Sequence, residues 1–250
     1  MNDEKLLLEV CADSLENALT AQSAGARRIE FCSGLPEGGL TPSFAQIRGA
    51  REKLSSSKLY VLIRPRSGDF LYNAGEFEII KSDIHFCGVC GCDGVVIGIL
   101  NPDGTVDTER CRELVKIAKD YEMGVTFHRA FDRSNDLFQA MEDIIDLGCE
   151  RILTSGGRDT AIEGADTLRQ LIEKAGDRII IMPGAGVTPE NAVELIQKTG
   201  LRELHGTFRS RFPSKMQYKN AELSHPGDEY SLLLTDAKKI KSVLNIQSNS

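Results

Sequence analysis

Eight short runs rich in β-branched and apolar residues recur along the chain: LLLEVCA, RRIEFCS, LYVLIRPR, DGVVIGIL, GVTFHRAF, RILTSGG, IIIMPGAGV and ELHGTF. Each is separated from the next by a segment with helical periodicity. Strands that alternate with helices join through right-handed crossovers into a parallel sheet, and eight such units in about 250 residues is the size of a closed (β/α)8 barrel. The reading is therefore one α/β domain over residues 1–250, a single (β/α)8 TIM barrel, with an open doubly wound sheet as the alternative. Helix ends support it: Asp13 reads as an N-cap with Glu16 three residues on, Gly25 as a stop, and Thr188 before Pro189 as a further start. A weak internal echo adds to this. A glycine, one residue and then a charge precede the second, fourth, sixth and eighth runs, at Gly25, Gly91, Gly148 and Gly200.

Composition narrows the function classes. No apolar run approaches the roughly 20 residues that span a bilayer, and the first residues lack a basic-then-apolar signal pattern, so a cytoplasmic protein with no membrane partner is expected. The formal charge of −7 lacks the basic surplus that nucleic acid requires. Seven cysteines, an odd number, suit reduced thiols better than a disulfide framework.

Within a barrel strand, alternate side chains face the interior, and that parity turns charge inward. Glu9 and Cys11 share the inner face of the first strand, and Glu30 and Cys32 that of the second. Arg64 and Arg66 share one face of the third, Thr126 and His128 of the fifth, Glu203 and His205 of the eighth. Barrel interiors are normally aliphatic, and buried charge must pair or meet solvent. Two readings follow: a structural lattice joining Glu9 and Glu30 to Arg64, or a site at the C-terminal mouth, where barrel enzymes keep theirs.

The segments LEVCADS, RRIEFCSGLPEGGLTPS, IRPRSGDFLY, DGVVIGILNPDGTVD, VTFHRAFD, RILTSGG, IIMPGAGVTPEN and ELHG resemble the copper homeostasis protein CutC family over nearly the whole chain. The tail from about Met216, including Glu229 to Leu232, is most similar to animal members. The resemblance implies a (β/α)8 barrel, cytoplasmic and in animals also nuclear, assembled as a dimer or tetramer, with a role in copper handling. It also implies that Cys11 and Cys32 are the Cu(I) ligands. Neighbouring strands about 5 Å apart bring two inward cysteines within reach of one ion, and soft thiolates favour Cu(I). The competing use of these thiols is packing, as small hydrophobes.

Other residues suggest alternatives. His85, Cys87, Cys90 and Cys92 have ligand chemistry, but no second distant pair completes a zinc motif, and they precede the fourth strand at the stability face, where small buried cysteines closing a helix are the simpler reading. An enzyme reading, as a lyase, isomerase or hydrolase acting on a small anionic or phosphorylated metabolite, uses His128 as acid or base near neutrality, Glu9 or Glu30 as its carboxylate partner and Arg64 as the anion clamp. Arg66, Ser155, Gly156, Gly184 and Gly186 would add charge and turn N–H donors to that ligand site. After the eighth strand, about 209–233 reads as a long loop and about 234–246 as a terminal helix.

Overall fold

The computed structural model describes residues 6–220 and 230–246. The barrel strands are β1 (Leu7–Ala12), β2 (Arg28–Phe31), β3 (Lys58–Leu62), β4 (Gly94–Ile97), β5 (Gly124–Phe127), β6 (Arg151–Thr154), β7 (Ile180–Pro183) and β8 (Glu203–Gly206). Their helices are α1 (Leu15–Ser23), α2 (Phe44–Lys53), α3 (Ala74–Val89), α4 (Thr108–Asp120), α5 (Leu137–Leu147), α6 (Ala165–Ala175) and α7 (Pro189–Thr199). All ladders are parallel, in the order β7-β6-β5-β4-β3-β2-β1-β8. β7 and β8 then lie side by side, which makes the barrel nearly closed.

Parity along the strands separates two packed regions. Leu8 and Val10, Ile29 and Phe31, Leu59 and Val61 all face outward into the large apolar layer beneath the helices. Cys11, Cys32, Tyr60, Leu62 and Val96 form a small apolar patch inside the barrel. Leu153 and Met182 also face the interior, and beside them stand the charged residues that the alternation of LEVC and IEFC turns inward.

The helix ends follow local chemistry with one revision. Ser14, not Asp13, caps α1 by accepting from Asn17 N–H at 3.2 Å, while the Asp13 carboxylate accepts from the Asn17 side chain at 2.8 Å. Thr188 opens α7 in a capping box with Asn191. All four echo glycines have positive φ, between 66° and 104°, a conformation open to glycine at little strain.

The expected loop at 209–233 is partly strand. β9 (Arg209–Pro213) and β10 (Ser231–Thr235) pair antiparallel, and α8 (Ala237–Leu244) follows. Ser210 Oγ donates to Asp236 at 2.8 Å across the ribbon's base, and Thr235 N–H ties that base to the barrel by donating to the buried Asn17 side chain at 2.9 Å. Periodicity missed β9 because RSRFP has no apolar alternation, its pairing being made by backbone bonds to SLLLT. Residues 221–229, and with them the Glu229 end of the tail motif, lie outside the described residues. Among the described residues no helix is long and apolar enough to cross a membrane.

Candidate functional site

Glu9 sits at the centre of the barrel interior because the register places Arg28 of β2 on one side of it and His205 of β8 on the other. Arg28 forms short ion pairs with both Glu9 and Glu203. Arg151 continues the chain, reaching Glu203 at 3.2 Å and Glu150 at 2.8 Å. Tyr60 donates to Glu150 at 2.8 Å, and the guanidinium groups of Arg28 and Arg151 lie over its ring at 5.4 and 5.1 Å. Every charge in this floor layer therefore has an opposite charge against it. The lattice predicted for the interior exists, but its cations are Arg28 and Arg151; Arg64 takes no part.

Above Glu9 the interior changes character. His205 Nδ1 stands 2.7 Å from Glu9 Oε1 and 3.7 Å from Glu30 Oε2. Cys11 Sγ lies 3.5 Å from Cys32 Sγ and 3.7 Å from Glu30 Oε1. Donor atoms of Cys11, Glu30 and His205 all lie within 4.8 Å of one another, and all three residues are buried. Among the described residues this is the one His, Cys and carboxylate cluster with the spacing of a metal site.

The electrostatics of the cluster follow from burial and neighbours. Burial alone would raise the Glu9 carboxyl, but Arg28 and His205 overrule it and hold it at about 2. Burial pushes Glu30 up to about 7, against the pull of His205 and with the charge of Glu9 adding to the rise. Burial would lower His205, yet Glu30, Cys11 and Glu9 hold it well above the ordinary imidazole value. The hydrogen bond with Cys32, with burial behind it, pushes the Cys11 thiol well up. Without a metal, Cys11 is thus a protonated thiol beside an imidazolium, and a metal ion would displace those protons on binding.

A cavity of about 550 Å³ opens above this cluster at the C-terminal ends of the strands. Cys11, Glu30 and His205 form one wall, and Arg64, Phe70 and His128 another. Arg64 is buried there by the GLPEGG loop, in which Gly38 and Gly39 adopt φ of 85° and 89°. That turn lets the carbonyls of Glu37 and Gly39 each accept from Arg64 Nη1 at 2.9 Å, and the Gly68 carbonyl accepts from Nη2 at 2.8 Å.

His128 also faces the cavity, but neither Glu9 nor Glu30 is its partner. Its Nδ1 accepts from Ala130 N–H at 3.1 Å, and burial, then the Arg64 charge, holds it at about 3. It is neutral across the physiological range, so the expected titration near neutrality does not occur; the histidine that partners the carboxylates is His205. Arg66 lies apart from the cavity, its guanidinium spent on Glu76 at 2.6 Å, Asp69 at 2.9 Å and the Leu71 carbonyl at 2.7 Å.

The turn donors expected to meet an anion are largely committed elsewhere. Asp132 fills the turn after β6, accepting from Thr154 Oγ1 at 2.5 Å, from Ser155 N–H and Oγ at 3.1 Å, and from Gly157 N–H at 3.0 Å. Gly156 N–H donates to Thr154 Oγ1 at 2.9 Å, and Gly184 N–H to the Thr154 carbonyl at 3.0 Å. Of the five residues proposed with Arg64, Gly186 alone lines the cavity. Asp132 is thereby committed to a turn at a different strand end, with its first partner, Thr154, 22 residues on.

The Cys87 cluster stays closed. Cys87 and Cys92 are buried in the helical layer, and His85 faces Tyr121 instead, at 3.4 Å.

Comparison with known proteins agrees with the fold and with the segments quoted above. The CutC family model matches residues 6–210. A Xanthomonas campestris protein described as a family protein CutC is 46% identical over 239 residues, spanning 96% of this chain and 98% of its own. The human copper homeostasis protein cutC homolog is 42% identical over 247 residues, spanning 97% of this chain and 89% of its own. Among solved structures, the CutC protein of Streptococcus agalactiae superposes with a TM-score of 0.77 at 35% identity, covering 81% of this chain and 98% of that one. Phosphoribosylanthranilate isomerase of Thermotoga maritima, at 15% identity and a TM-score of 0.57, shares the barrel over 98% of this chain and 100% of that one. The chain is a member of the CutC family.

Proposed function

We propose that this protein handles copper inside the cell by binding Cu(I) through Cys11 and Cys32, with His205 as a third donor and Glu30 beside it. The observation that carries the reading is the pair of buried sulphurs 3.5 Å apart. Two metal–thiolate bonds of about 2.3 Å reach across that separation without moving the backbone. Soft thiolates select Cu(I) over the hard cations. Glu9 supports the third donor: it fixes the imidazole through Nδ1, which leaves Nε2 as the ligand nitrogen, the arrangement by which carboxylates orient metal-binding histidines. Seven free cysteines suit the reducing cytoplasm that keeps such a site competent.

Titration of the reduced protein with Cu(I) against a chromogenic chelator tests this. The wild type should withdraw one equivalent, and the Cys11→Ser, Cys32→Ser double variant should bind at least about 100-fold more weakly while keeping its fold by circular dichroism. Full affinity in the folded double variant would refute the assignment. Because His205 and Glu30 raise the donor count to the four that zinc prefers, Zn(II) belongs in the same titration; displacement of Cu(I) by equimolar Zn(II) would overturn the choice of copper.

A further inference from the structure

The cavity carries a second set of groups that metal binding leaves unused. Arg64 is 6% exposed, and its bonded partners are three backbone carbonyls, with no carboxylate among them. A guanidinium has five N–H donors. Two on Nη1 and one on Nη2 are taken, so Nε–H and one Nη2 hydrogen remain, and Nε is buried without a partner. Positive charge held out of water with no counter-ion is costly.

His128 presents a matching group. It is neutral and its Nδ1 accepts from Ala130, so the ring proton is on Nε2, a donor that is also buried without a partner. Phe70 spans the two residues, 4.9 Å from the His128 ring and 5.2 Å from the Arg64 guanidinium. Three of the five unpartnered buried side-chain atoms among the described residues belong to Glu30, Arg64 and His128, which line this one cavity. Two of the three are donors, and Arg133 adds positive charge at the rim, whereas Arg129 beside it is paired with Asp132 at 2.8 Å.

We propose that the Arg64 side of the cavity binds a small organic anion, a carboxylate or phosphate monoester, whose acidic group meets Arg64 while an acceptor oxygen meets His128 Nε2–H. A volume of about 550 Å³ is in the range of small-metabolite sites. Donors that await only acceptors select an anion over a cation or an apolar ligand. The site does not depend on the copper reading, and its test is run without copper.

Thermal unfolding and calorimetric titration in copper-free buffer, with inorganic phosphate and with malonate as probes, read the site directly. At a hundredfold excess over Kd, the midpoint of the wild type should rise by about 5 to 10 °C. Arg64→Lys, which loses the planar fork, should weaken binding at least about tenfold. Leu35→Trp, which fills the cavity from its rim and removes no polar group, should abolish the shift, and it decides the question if Arg64→Lys fails to fold. Stronger binding of phosphate identifies a phosphate monoester, and of malonate a carboxylate; either supports the site. No shift with either anion, or equal affinity in wild type and Leu35→Trp, overturns it.

Discussion

The floor and the mouth of this barrel are built from the same residue types and differ in whether those residues are spent. At the floor, Glu9, Arg28, Glu203 and Arg151 pair in an unbroken chain. At the mouth, two thiols face each other, Glu30 Oε2 and His128 Nε2 have no hydrogen-bond partner, and Arg64 rests on carbonyls alone. A buried polar group that is fully satisfied holds the fold, whereas one left unsatisfied costs stability and is kept for another use. Two inward carboxylates one strand apart fall on opposite sides of that line: Glu9 stays ionised at about 2, and Glu30 is pushed up to about 7.

The largest expected effect breaks the floor. Arg28→Met leaves Glu9 and Glu203 facing each other without their shared cation, and urea unfolding should show a loss of about 3–5 kcal/mol. A loss below about 1 kcal/mol would mean that the lattice is not what holds the two strands in register.

The next effect separates His128 from the floor by pH. Its folded value of about 3 lies below the ordinary 6.5, so on acidification the unfolded chain takes up the proton first. The stability it contributes is complete above pH 6.5 and is lost as the pH falls toward 3, at a limiting slope of about 1.4 kcal/mol per pH unit. The wild type should therefore lose about 2 kcal/mol more than His128→Asn between pH 6.5 and pH 5. Parallel stability profiles over that interval would place the histidine in contact with water.

The smallest effect belongs to the thiols. Cys11→Ala or Cys32→Ala removes one sulphur from a small apolar patch and should cost only about 1 kcal/mol each, a fraction of the loss at Arg28. Equal losses at the two levels would erase the distinction between floor and mouth.

Much of this arrangement was legible in the chain. Eight alternating runs gave the barrel, and period-two parity put Glu9, Cys11, Glu30 and Cys32 inside it. The same parity applied two residues earlier would have found Arg28, and applied to RILT it would have found Arg151. The pairing of Glu9 with His205 required one further step, since closure makes β8 the neighbour of β1. What parity cannot supply is the path of the loops. Arg66 leaves the strand's inner face after Pro65, Asp132 reaches across from β5 to the β6 turn, and two of the three carbonyls that hold Arg64 belong to a glycine turn whose shape depends on tertiary contacts.

X-ray absorption at the copper edge of the reduced protein loaded with one equivalent of Cu(I) tests the central claim most directly, because it reads the identity of the ligands at the mouth. Two sulphurs and one nitrogen are predicted, the nitrogen lost in His205→Ala and both sulphurs lost in the Cys11→Ser, Cys32→Ser variant. A first shell without sulphur, or an unchanged sulphur count in that double variant, would contradict the account.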